Sequence, residues 1–181
     1  MPKNIIVLTG SPRKGGNSDL LADAFINGAK SAGHNVIKFT AADKDIDGCK
    51  ACNKCFSKGN ACFFSDDFNE LAPLVMDSDL LIISTPLYWF SFPSKLKAAI
   101  DKFYSFIIGN VTLRVKESLL IVCGAAEDEE EFQGIIKSYE LITDYMKWTN
   151  RGSIIIRGMR EKGDVLKTDW IKKIEEIGKN I

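Results

Sequence analysis

The decapeptide Thr9-Gly10-Ser11-Pro12-Arg13-Lys14-Gly15-Gly16-Asn17-Ser18 follows the apolar run Ile5-Ile6-Val7-Leu8 and leads into a helical pattern. A glycine- and hydroxyl-rich loop in that place suits a phosphate. The first-turn N–H groups of a helix have no partner inside it, and the helix dipole adds partial positive charge there. Ser11, Asn17 and Ser18 bring hydrogen-bonding side chains, and Arg13 brings charge. A plain strand-to-helix turn needs one glycine and one cap; this stretch has three glycines, three hydroxyls and an arginine. It lacks the G-x-x-x-x-G-K-[ST] pattern of triphosphate loops and the G-x-G-x-x-G of dinucleotide folds. The next strand ends Lys38-Phe39-Thr40, with no carboxylate to hold a ribose. A phospho-receiver domain would need acidic residues where Thr9-Gly10 stand. A ligand with a single phosphate, such as FMN, fits best.

Cysteines form the second chemical signal. Cys49, Cys52, Cys55 and Cys62 are four of the chain's five, and they fall within 14 residues. In a reducing compartment such a run is not a disulfide framework. Three thiolates at x₂ spacing with a fourth after a short loop suit a [4Fe-4S] cluster. Zinc is an alternative, and so is plain packing of small side chains under a loop. Cys123 reads as a buried small hydrophobe. His34, the only histidine, sits beside Gly33 and is expected at the surface.

A third stretch, Thr85-Pro86-Leu87-Tyr88-Trp89-Phe90-Ser91-Phe92-Pro93, is rich in aromatics. It suits a flat conjugated ring, a subunit interface, or both. The acidic run Glu127–Glu131 reads as the start of a helix, where negative charge complements the dipole.

These stretches must be carried by regular elements. Short apolar runs predict buried parallel strands at Asn4–Leu8, Val36–Phe39, Leu80–Ser84, Ser118–Val122 and Ser153–Ile156. Between them lie helical patterns: one marked by Leu20, Leu21, Ala24 and Phe25; a short one over Asp67–Met76; and one with Pro93 in its first turn and a stripe from Leu96 to Phe106. A fourth runs from Phe132 to Met146, and the last carries Ile171, Ile174 and Ile177. Trp148 and Trp170 are expected in helix packing. Strands alternating with helices indicate a doubly wound parallel sheet in a three-layer α/β/α arrangement. Ligands on such sheets bind beyond the strands' carboxyl ends, at the switch in strand order. The loops after the first, third and fourth strands should therefore carry the site. The segment of about 41–65 is a long Cys-rich loop, beyond the usual length of about 12–15 residues.

The 181 residues are expected to form one domain, 1–181. Lysines and arginines number 24 and acidic residues 24, so net charge is zero. That balance argues against nucleic acid as a partner. No apolar run reaches the roughly 18 residues of a membrane span, and the first residues lack a signal-peptide core. A cytoplasmic protein with no membrane partner is expected.

Thr9-Gly10-Ser11-Pro12-Arg13…Asn17-Ser18, with Thr85-Pro86-Leu87-Tyr88-Trp89-Phe90…Leu96-Lys97…Ile100-Asp101-Lys102-Phe103, resembles the NAD(P)H-dependent FMN reductase branch of the flavodoxin-like superfamily. The cysteine run resembles the compact motif of iron–sulfur flavoproteins, a sister group with the same fold. The resemblance implies a five-stranded sheet in the order 2-1-3-4-5 and noncovalently bound FMN. Ser11, Arg13, Asn17 and Ser18 would hold the phosphate; Pro86, Leu87, Tyr88, Trp89 and Phe90 would hold the isoalloxazine. It also implies a homodimer or homotetramer. Lys102 stands where many relatives have arginine, which alters a structural contact more than the chemistry. The function expected is electron transfer from NAD(P)H through FMN to a small acceptor such as a quinone, a nitroaromatic or free flavin. The chemistry lies at the flavin, so no catalytic side chain is assigned. An iron–sulfur flavoprotein serving a protein partner is the alternative, and a cysteine-based sensor is a third class.

Overall fold

The computed structural model describes residues Met1–Ile181. Five parallel strands form one sheet: β1 (Asn4–Thr9), β2 (Asn35–Thr40), β3 (Leu80–Pro86), β4 (Glu117–Cys123) and β5 (Thr149–Ile156). Their spatial order is β2-β1-β3-β4-β5, as expected. The order reverses between β1 and β3, which pair in register from Ile5↔Leu80 to Thr9↔Ser84. The helices are α1 (Asn17–Ser31), α2 (Phe68–Met76), α3 (Ser94–Asp101), α4 (Tyr104–Ile108), α5 (Gln133–Met146) and α6 (Trp170–Lys179).

The period of two in a strand sends alternate side chains to opposite faces. Ile5 and Val7 of β1 join Ile82 of β3 and Ile121 of β4 beneath α1 and α6, packed with Phe25 and Ile174. Ile6, Leu8, Ile83 and Leu120 face the other layer, with Phe68, Leu96, Phe106, Ile135 and Tyr139 from α2 to α5. Gly28 and Gly178 let α1 and α6 touch backbone to backbone; a methyl group at either would overlap the other helix.

Three elements differ from the sequence reading. The stripe from Leu96 to Phe106 is two helices, broken at Lys102–Phe103, and Pro93 is the N-cap of α3 rather than a residue of its first turn. The strand expected at Ser153 begins at Thr149. Its first half, Thr149-Asn150-Arg151-Gly152, is polar and exposed because β5 is an edge strand, so an apolar run cannot mark it. Trp148 lies outside any helix. Lys147 takes the left-handed conformation (φ 59°) that ends α5, and the buried Trp148 ring meets Phe103 edge-on at 6.2 Å. Trp170 opens α6, as expected of a helix residue. The segment after β2 has only a short 3₁₀ turn, Ala41–Asp43, before α2.

Candidate functional site

Beyond the carboxyl ends of β1, β3 and β4 lies a cleft of about 300 Å³, at the lower end of the ~300–1,000 Å³ usual for small-molecule sites. From the β1 loop it is lined by Ser11, Arg13, Gly16, Asn17 and Ser18; from the β3 loop by Pro86, Leu87 and Tyr88; from the end of β4 by Cys123, Gly124 and Ala125. The two stretches that the sequence analysis singled out thus meet on one cavity.

The first stretch has the form of an anion cradle. Gly16 is the N-cap of α1 and offers no side chain to the first-turn N–H groups, so these face the cleft without a side-chain cap. Gly15 takes a positive φ (+67°), and its N–H donates to Asp19 Oδ2 at 2.7 Å. Ser11 and Ser18 are buried, and Ser11 Oγ accepts from the Arg13 N–H at 3.1 Å. Asp19 is kept from opposing an anion by Lys38, whose Nζ bridges Asp19 and Asp23 at 2.6 Å each. Burial pushes the Asp19 carboxyl up, but the Lys38 contact, the Gly15 N–H and nearby charge outweigh it and hold the carboxyl below its ordinary range. Asn17 behaves differently from the expectation: its side chain bonds to the segment after β5.

The second stretch is a tight reversal. Trp89 and Phe90 lie at its tip, outside the cleft; Trp89 is almost fully exposed. Phe92, at the end of the aromatic run, is buried in the core. Cys123 lies under Ser18; burial, opposed only by the Ser18 hydroxyl, pushes its thiol up to about 12. It is therefore a neutral packing residue.

Sequence reasoning missed the loop after β5, which brings Met159, Arg160 and Lys162 to the cleft. The signal was the cluster Arg157, Arg160 and Lys162 just past the carboxyl end of a strand. His34 is half-buried, and its Nδ1 accepts from the Lys3 N–H at 3.0 Å, at the opposite end of the sheet. Within the acidic run, Asp128 caps the Glu130 N–H at 3.1 Å, and the 3₁₀ turn Glu129–Phe132 leads into α5.

All four clustered cysteines line a second, narrow space, with Lys102, Tyr104 and Ser105. No three His, Cys, Asp or Glu side chains converge as ligands of one ion. Burial and the neighbouring Cys52 and Cys49 push the Cys55 thiol up. Ala51, Asn53 and Phe56 have positive φ (48°, 53° and 58°), a backbone state that is costly for non-glycine residues and collects at functional sites. The Ser105 hydroxyl is buried without a hydrogen-bond partner. Lys102 makes a buried ion pair with Asp66, which also accepts from the Asp47 and Phe68 N–H groups at 3.2 Å. Four thiols, an orphaned hydroxyl and a buried cation are a donor set that fits a cluster. As they stand, the thiols do not converge on one point, and Cys49 and Cys52 are exposed.

A parallel sheet in the order 2-1-3-4-5 with an anion cradle at its switch point defines a flavodoxin-type α/β protein. Residues 3–130 match the family described as NADPH-dependent FMN reductase, and the chain belongs to that family of oxidoreductases. It is 33% identical over 126 residues to an iron–sulfur flavoprotein of Archaeoglobus fulgidus, a match covering 68% of this chain and 56% of that one. The chain thus spans little more than half the length of that relative. An iron–sulfur flavoprotein of Methanosarcina thermophila is 27% identical over 139 residues, covering 77% of this chain and 70% of the relative. Among solved structures, an NAD(P)H:quinone oxidoreductase from Methanothermobacter marburgensis superposes with a TM-score of 0.73 at 17% identity, over 99% of this chain and 97% of that one. The last likeness is one of fold.

Proposed function

We propose that the chain is an FMN-dependent oxidoreductase that oxidises NADH or NADPH and reduces a small acceptor: a quinone, a nitroaromatic or free flavin. The observation that carries this reading is the meeting of the phosphate cradle and the β3 loop on one cleft. In it the first-turn N–H groups of α1, with Ser11, Arg13 and Ser18, hold the phosphate. Pro86, Leu87 and Tyr88 bound the isoalloxazine. The Leu87 N–H is taken by the Cys123 carbonyl at 2.8 Å, and the Tyr88 and Ser91 N–H groups are paired with each other's carbonyls. The main-chain N–H groups of Trp89 and Phe90 are the unpaired donors of the loop, but they sit at its tip, outside the cleft, so no contact with the ring is assigned to those two residues. FMN, when bound, accepts a hydride from the nicotinamide and passes the electrons on. The protein's part is to bind, orient and shield; no side-chain acid or base is required.

Reconstitution with FMN tests the reading. One FMN per chain, NAD(P)H oxidation with at least one acceptor, and an Arg13→Ala variant binding FMN about tenfold or more weakly are expected. Bound FMN with no turnover of any acceptor would overturn the enzymatic reading.

A second reading is an iron–sulfur flavoprotein that passes single electrons to a protein partner. The observation favouring it is that Cys49, Cys52, Cys55 and Cys62 line one space. Thiolates around a four-iron cluster stand farther apart than those on one zinc, because the cluster fills the space between them. Anaerobic, iron-supplemented preparations should contain iron and acid-labile sulfide, and Cys52→Ser should lose both while keeping FMN. Absence of iron from such preparations leaves the first reading alone.

A further inference from the structure

Asn17 opens α1 at the cradle, yet its side chain is spent on protein. Its Nδ2 donates to the Glu161 carbonyl at 2.8 Å, and its Oδ1 accepts from the Val165 N–H at 3.2 Å. These two bonds fasten the segment between β5 and α6 onto the cradle. Lys162 lies between the fastened residues. A methyl group placed on Gly15 would find Lys162 Cε at 3.4 Å and Nζ at 3.6 Å, so the ammonium lies over the cradle glycine. Lys162 also lines the cleft with Ser11, Arg13 and Ser18. Its neighbours in sequence are paired: Arg160 faces Glu127 at 3.4 Å, and Lys167 faces Asp164 at 2.7 Å. Lys162 belongs to no ion pair, and Asp19, the carboxylate of the cradle, is already taken by Lys38.

We infer that Lys162 is a ligand of the FMN phosphate and that Asn17 is the positioning residue that delivers it. The inference rests on the FMN reading above. A phosphate at a helix N-terminus is satisfied along the helix axis by N–H groups and leaves oxygens on its outer side. A lysine ammonium is a compact point charge with three donors and a flexible stem, suited to reach over such a ligand from a loop. The segment after β5 then completes the cradle beside Gly15, so two chain segments far apart in sequence share one phosphate.

Dissociation constants of FMN and riboflavin for the apoprotein, read by flavin fluorescence, test this. Lys162→Met should weaken FMN about tenfold, as for loss of a charge-assisted hydrogen bond, flatten the salt dependence of FMN binding and leave riboflavin unchanged. Lys162→Arg should recover most of the loss. Asn17→Ala should weaken FMN as well, and adding it to Lys162→Met should cost little more, because Asn17 acts through Lys162. If wild type prefers FMN to riboflavin and Lys162→Met binds FMN as wild type does, the inference is overturned while the FMN reading stands. If wild type binds the two flavins equally, the phosphate reading itself falls. Fully additive losses at Asn17 and Lys162 overturn the positioning role.

Discussion

Tyr88 and Ser91 exchange two main-chain hydrogen bonds of 3.0 Å each, closing a two-residue turn whose central residues, Trp89 and Phe90, both have positive φ (46° and 63°). Such a turn prefers Asn-Gly, and the left-handed state costs an ordinary residue about 1–2 kcal/mol. The turn is also seated: the Phe90 carbonyl lies against Gly134 of α5, where a methyl group would stand 2.6 Å from it. The strain holds two unpaired N–H groups at the tip of the loop. Replacing Trp89-Phe90 by Asn-Gly relieves the backbone but removes a tilted ring pair with centroids 5.8 Å apart, worth about 0.5–1.5 kcal/mol. The net expectation is an apoprotein more stable by about 0.5–3.5 kcal/mol, read as a higher urea midpoint at unchanged slope. An unchanged or lower midpoint would show that the aromatic pair, not the backbone, dominates.

This turn also marks how far the sequence was legible. The strands, the cradle and the aromatic loop could be read because each rests on local signals: apolar runs, glycines beside hydroxyls, aromatics past a strand. The order of the strands in the sheet came from the family resemblance, not from those signals. That Phe92 turns into the core while Trp89 faces solvent rests on the Tyr88–Ser91 pairing, which no composition reveals. The exposed half of β5 was illegible because an edge strand is not obliged to be apolar. The destination of Asn17 was illegible because its partners, Glu161 and Val165, lie more than a hundred residues away. The break after Asp101 was hidden because Phe103 and Phe106 continue the spacing of a helix, although Phe103 is the N-cap of a second, shorter helix and Phe106 lies within it.

The Asp19–Lys38 contact predicts a pH dependence. The native carboxyl is held below its ordinary value of 3.8, so its contribution to stability is fully present above that value and is lost as pH falls from 3.8 toward the lowered native value. Asp19→Asn imitates the protonated acid. Thermal melts of the apoprotein should show the variant less stable at neutral pH, with the gap closing below pH 3.8. A gap that persists unchanged at the acid end would mean that the charge of Asp19 is not what matters.

Between α4 and α5 runs an apolar groove of about 530 Å³ bounded by Tyr104, Ile107, Leu141 and Tyr145. Leu141 and Tyr145 are 57% and 64% exposed. Apolar patches of this kind mark interfaces, and the expected homodimer or homotetramer would cover this one. Sedimentation of wild type should give a species of at least two chains. Leu141→Glu with Tyr145→Glu should give a monomer that keeps its fold by circular dichroism. A wild-type monomer with FMN bound would remove the self-association reading.

Asp66 ties three parts of the cysteine segment's frame together. It pairs with the Lys102 ammonium at the break between α3 and α4, and it accepts from the Asp47 N–H at the entry to the cysteine loop and from the Phe68 N–H at the start of α2. Both charged side chains are buried, at 4% and 7% exposure. A buried pair as a whole adds little net stability, but removing one partner strands the other charge and typically costs about 3–5 kcal/mol. Asp66→Ala should therefore lower unfolding stability by about that amount, whereas Lys102→Met, which removes the buried cation and keeps the packing on Phe68, should cost less. The asymmetry has a structural origin: Lys102→Met leaves Asp66 its two main-chain donors, whereas Asp66→Ala leaves Lys102 only the Phe68 ring, 5.8 Å from its Nζ. Urea unfolding of the two apoproteins separates the outcomes. Equal losses would mean that the main-chain bonds of Asp66 contribute nothing beyond the ion pair.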